Sequence, residues 1–83
     1  MTSSSSELAI SGARDAIQRG LTVYQCWLRI WDEQGARPTG PDDPSEVLSA
    51  ISSFGWGLVT SNFLQYPGSI TLDCMYVFRR AAR

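Results

Sequence analysis

The chain contains no histidine and no lysine, and only two cysteines. Without histidine, the commonest general base and nitrogen ligand for metals is missing. Ser52, Ser53, Ser61 and Ser69 therefore have no base to activate them within the chain, and triad chemistry is excluded unless a partner donates residues. Cys26 and Cys74 form no C-x-x-C pair and have no second ligand type close by, so a zinc site has no support. They read instead as two reduced, buried thiols on adjacent strands, behaving as small hydrophobes. No run approaches the ~18 apolar residues of a membrane span. Met1 to Glu7 is a serine run ending in an acid, not a basic region followed by an apolar one, and the chain reads as cytoplasmic. All 7 basic residues are arginine; against 8 acids they leave a net charge of −1. That balance lacks the positive excess on which duplex DNA binding depends. All-arginine usage fits a GC-rich bacterial source, and arginine also suits planar and stacked contacts better than lysine does.

What is present is enough for one small globular unit. The chain has 83 residues, of which 43% are hydrophobic, with 3 Trp, 3 Tyr and 3 Phe. A chain of this length buries only about 60–65% of the surface its unfolded form exposes, and so small a core often gains stability by self-association. A homodimer is the default expectation. The organisation expected is a disordered tail at 1–5, a single domain over 6–80 and a short C-terminal tail at 81–83.

The periodicity supplies the elements. Ser4-x-x-Glu7 can form a capping box, and Ala9, Ile10, Ala13, Ala16 and Ile17 then share one helical stripe that Gly20 ends. From Leu21 to Trp31 the period changes to two. Tyr24, Cys26, Leu28 and Ile30 take one face, and Val23, Gln25, Trp27, Arg29 and Trp31 the other. Gln34 to Asp43 is a Gly- and Pro-rich loop. A second helix starts at the Asp43 cap with Pro44 at its first position, buries Val47, Ala50, Ile51 and Phe54, and stops at Gly55. Two strands follow, Trp56–Leu64 and Ile70–Arg80, joined through Pro67-Gly68. The fold class is α+β: a three-stranded antiparallel or mixed sheet in a split β-α-β arrangement, order α-β-α-β-β, with an added N-terminal helix and the last strand central. Its core face would be Ile70, Leu72, Cys74, Tyr76 and Phe78, opposed by the first strand, with Trp56 and Leu58 beside them.

Leu48 through Val59, with Gly55-Trp56-Gly57-Leu58-Val59, and Tyr76-Val77-Phe78-Arg79-Arg80 resemble a family of small uncharacterised bacterial proteins, a domain of unknown function. Its members carry a Gly-Trp-Glu-Leu-Val-like segment and a terminal Tyr-Val-Phe-Lys-Arg-like strand. The resemblance covers about residues 21–80 and departs at Gly57, where the family usually has an acid. It implies an α+β architecture and carries over no catalytic residue.

The sharpest constellation is Trp27, Arg29 and Trp31 on one strand face. Phe63 and Val59 from one neighbouring strand, and Met75 and Val77 from the other, would extend it into an apolar surface. Three readings are open. The first helix packs there and makes a second core, or the face binds another protein or a second copy, or it stacks single-stranded nucleic acid or a small ligand. Asp32, Glu33, Asp42 and Asp43 flank the long loop and read as turn and cap acids, and no metal or cofactor is expected. Tyr24 and Tyr76 could act as acids with Asp73 or Arg29, but buried packing suits them better. The function expected is a non-enzymatic interaction or regulatory module, homodimeric through the first strand, with Trp27, Arg29, Trp31, Phe63 and Met75 meeting a larger protein partner.

Overall fold

The computed structural model describes residues 5–32 and 34–81. Most of the expected N-terminal tail, the capping Ser4, Glu33 and the end of the C-terminal tail lie outside them. The elements are α1 (Ser5–Gln18), β1 (Val23–Trp31), α2 (Pro44–Ser53), β2 (Trp56–Gln65) and β3 (Leu72–Arg80), with a 3₁₀ turn at Gly40–Asp42 before α2. The protein is a small α+β fold with sheet order β1-β3-β2, antiparallel throughout. β1 starts two residues later than the sequence suggests. β3 starts at Leu72, so Ile70 precedes it and is 53% exposed rather than in the core.

Local chemistry sets the helix ends. α1 closes with paired bonds, Leu21 N–H donating to the Ala16 carbonyl at 3.0 Å and Gly20 N–H to Ile17 at 3.1 Å. Gly20 takes the left-handed conformation this end requires, at φ 78°. The Asp43 carboxylate accepts from Ser45 N–H at 2.9 Å and caps α2. Gly55, at φ 102°, turns the chain out of α2 into β2.

Both helices lie on one side of the sheet. Ala9, Ala13 and Ala16 of α1 and Val47 and Ile51 of α2 share a core with Cys26, Leu28, Trp56, Cys74, Tyr76 and Phe78. Among the described residues nothing then covers the other sheet face, and the reading in which α1 builds a second core there is corrected. Two features hold it where it is. Its alanine stripe allows close approach, and the aromatic side chains beneath it have polar tips that need acceptors once buried. Tyr24 Oη donates to the Ala9 carbonyl at 2.7 Å, and Trp56 Nε1 to the Ala13 carbonyl at 2.9 Å. Arg80 Nη2 reaches the Ile17 carbonyl at 3.2 Å and places positive charge at the negative end of α1. Arg14 stacks over the Phe54 ring, tying α1 to the end of α2.

Two β-bulges decide which side chains share a face. On β2 the ladder pairs Leu58 with Phe78 and then Thr60 with Val77, skipping Val59. On β1 it pairs Arg29 with Asp73 and then Trp31 with Leu72, skipping Ile30. One extra residue reverses the alternation beyond it.

Candidate functional site

The bare sheet face is four rows deep and three strands wide. Across β1, β3 and β2 the rows are Val23–Arg79–Gly57, Gln25–Val77–Thr60, Trp27–Met75–Asn62 and Arg29–Asp73–Leu64. Facing residues of a ladder project to the same side, so each row is a true surface row. Trp27 is 50% exposed, while Met75 and Val77 are half-buried between their flanking strands. An apolar strip therefore runs along the centre, with charge at both ends.

At one end Arg29 Nε meets Asp73 Oδ1 at 3.0 Å, beside a recess of about 220 Å³ lined by Trp27, Leu28, Arg29 and Asp73. A second recess, of about 310 Å³, lies where β1 meets α1 and is lined by Leu8, Ala9, Tyr24, Gln25, Cys26 and Trp27. Trp27 borders both. Arg79, at the opposite end, stands across from Gly57, which has no side chain to cover it. The adjacent Arg80 falls on the other side and caps α1, so the terminal arginine pair is split between stability and surface.

Of the residues singled out in the sequence, the structure brings Trp27, Arg29 and Met75 together on this face. Phe63 is not there. Beyond the β2 bulge it faces Cys74, on the helix side, and it is 67% exposed because neither helix reaches that stretch of β2. Trp31 is likewise carried into register with Leu72, a helix-side position. Val59 is the bulge residue and has no partner in the ladder. Leu58 lies opposite Phe78 yet is 50% exposed, so it joins the core only in register. Sequence reasoning missed Arg79 and Leu64. Arg79 keeps the alternation of Met75 and Val77 and was there to be read; Leu64 reaches the face only through the bulge.

The helix side holds the groups that titrate at high pH. Burial, with the Cys26 charge second, pushes Tyr24 up to about 12. Burial, with the Cys74 charge second, pushes Cys26 up to about 11. Burial first, then its bond and charge interactions with the cysteines, raises Tyr76 to about 12. All three are neutral at physiological pH. Tyr24 and Tyr76 point away from Asp73 and Arg29, so the pairing that would make them acids does not form. Cys26 and Cys74 are free and buried on the adjacent strands β1 and β3, as their register with the apolar face predicts. Asp32 Oδ1 accepts from Gln34 and Ala36 N–H at 2.8 and 2.9 Å, a turn role like the cap role of Asp43. Among the described residues no three or more His, Cys, Asp or Glu come together as a metal site, and no helix is long and apolar enough to cross a membrane.

These raised values set an alkaline limit on stability. From pH 9.0, the ordinary cysteine value, to about 12, the unfolded chain releases protons that the folded chain retains. Fewer bound protons in the unfolded state make stability fall as pH rises. The melting temperature is expected to be level through neutral pH, where there is no histidine to titrate, and to drop progressively above pH 9.0. Thermal melts followed by circular dichroism across that range check it; a plateau extending to about pH 11 would contradict the burial of these groups.

Comparison with protein-family models, with curated proteins and with solved structures returns no match. No activity, ligand or partner comes to the chain by likeness, and its function has to be read from the surface itself.

Proposed function

We propose that the chain is a non-enzymatic interaction module that works in the cytoplasm, its bare sheet face docking a larger protein partner through Trp27. The observation that carries this reading is the one-sided cover of the sheet. Both helices pack on the opposite face, and Trp27 is left half exposed between two recesses in a row with Met75. Tryptophan, methionine and arginine are the residue types enriched at protein interfaces, and hot spots centre on such aromatic anchors. The partner's chemistry follows from the charges. Asp73 already meets Arg29, whereas Arg79 has only Gly57 and Val23 beside it in the ladder. An apolar segment bearing an acidic residue fits this strip. The free, buried thiols suit a reducing compartment. Stacking of nucleic acid is less well supported, because the bulges leave Trp27 as the sole aromatic among the paired positions of this face.

A photo-crosslinking residue at Gln25, beside Trp27, tests the reading in extracts of the source cell. The expected result is one discrete adduct, competed by excess unlabelled protein and lost with Trp27→Glu, whose melting temperature stays that of the wild type. Adducts indifferent to Trp27→Glu would overturn the proposal. So would saturable quenching of tryptophan fluorescence by single-stranded oligonucleotides at physiological salt, which would move the face to the nucleic-acid class.

A further inference from the structure

A second surface lies at the edge of the sheet. β2 is a ten-residue strand, Trp56–Gln65, with β3 on one side and, among the described residues, no strand on the other. Every residue from Leu58 to Gln65 is exposed. An edge strand offers a row of unpaired N–H and C=O groups, and proteins usually protect such a row with charge, proline, a bulge or shortness. Protection is largely missing here. No charged residue occurs between Glu46 and Asp73, and the nearest proline, Pro67, lies beyond the strand. The one bulge is confined to the first half, between Leu58 and Thr60, and from Thr60 to Gln65 the ladder is regular. Among the uncharged side chains along and beside this stretch three large apolar ones are open to solvent: Phe63 at 67%, Tyr66 at 56% and Leu64 at 38%.

We propose that this edge pairs with the same edge of a second copy, the two β2 strands running antiparallel about a two-fold axis to form one continuous six-stranded sheet. The occupant follows from the edge itself. Unpaired backbone groups are satisfied by another strand, and an antiparallel pair of identical strands is self-complementary by symmetry. Because the segment carries no charge, two copies meet without the like-charge repulsion that opposed strands otherwise incur. Facing residues in a ladder share a side, so the axis passes midway between the two copies of one self-paired residue; Asn62 and Phe63 are the two candidates at the middle of the regular stretch. Either choice makes the two Phe63 rings direct or diagonal neighbours on the helix side, within reach of one another. That contact gives the half of β2 that neither helix covers the apolar cover it lacks. Aromatic residues carry about 150–250 Å² each. At 67% and 56% exposure Phe63 and Tyr66 together offer about 200–300 Å² per partner, and Leu64 with the edge backbone carries the surface toward the ~600 Å² per partner at the lower end of specific interfaces. β1, the other edge, carries Arg29 and is bulged at the far end of its run, which suits it less.

Light scattering on the full chain at micromolar concentration is the test. The wild type should have twice the 9.2 kDa chain mass, and Phe63→Lys should have the mass of one chain while keeping the wild-type circular dichroism spectrum. Trp27→Glu should remain dimeric, because the bare face is a separate surface. Mild oxidation of Asn62→Cys or of Phe63→Cys, whichever is self-paired across the axis, should give a covalent dimer, and Gln25→Cys should not. A monomeric wild type, or a dimer indifferent to Phe63→Lys, overturns the inference and leaves the proposed role of Trp27 standing. A dimer broken by Trp27→Glu alone also overturns it, and would in addition take the bare face away from the larger partner.

Discussion

Trp56→Ala is expected to cost about 3–5 kcal/mol, the range for truncating a large aromatic in a core, and in a domain this small that approaches the whole stability. Trp56 is 2% exposed and opens β2 under both helices, its ring centroid 5.8 Å from that of Tyr24. The loss has two separable parts. Trp56→Phe keeps a ring in the core but removes the donor at 2.9 Å from the Ala13 carbonyl, which retains its own helix bond, so the lost hydrogen bond itself should cost about 0.5–1.5 kcal/mol. Chemical denaturation of both variants separates the packing from the hydrogen bond. A soluble Trp56→Ala protein with the wild-type transition midpoint would mean that the side chain is not in the core.

Gly12→Ala is the second large effect, and its sign opposes the usual rule. In a helix interior this change ordinarily stabilises by about 1 kcal/mol. Here a Cβ at Gly12 would stand 2.7 Å from Tyr24 Oη and 3.4 Å from its Cζ. The tyrosine ring is held between Trp56 and Phe78, and its hydroxyl is bonded to the Ala9 carbonyl, so neither can move aside freely. Overpacking of this kind costs about 1–3 kcal/mol, which cancels the propensity gain, and Gly12→Ala is expected to destabilise by up to about 2 kcal/mol net. In a Tyr24→Phe background the closest atom is gone, and the same change should become neutral or stabilising. A double-mutant cycle measures that reversal; additive effects would rule out the contact.

Much of this architecture was legible along the chain because it rests on local chemistry. The stops at Gly20 and Gly55, the Asp43 cap and the two periodicities locate both helices and all three strands to within two residues. The connections allow the split order with the last strand central, but they left antiparallel and mixed sheets both open until the pairings were seen. The candidate surface was half legible. Trp27, Arg29 and Met75 share a face because no bulge falls between them and the ladder they were counted along. Phe63 and Trp31 lie past a bulge, where a single unpaired residue reverses every later side chain.

By itself, then, the sequence determined the order of the elements and their bounds to within two residues, placed both thiols on apolar strand faces, and supplied no histidine or lysine. Only the tertiary structure decided which side of the sheet α1 covers and which side chains beyond Val59 and Ile30 face together. The physical reason is the same in both cases. An alanine stripe fits either face of a sheet equally well until Tyr24 and Trp56 offer hydrogen bonds to its carbonyls from one of them. A bulge likewise arises from how two strands are paired, which neither strand encodes alone.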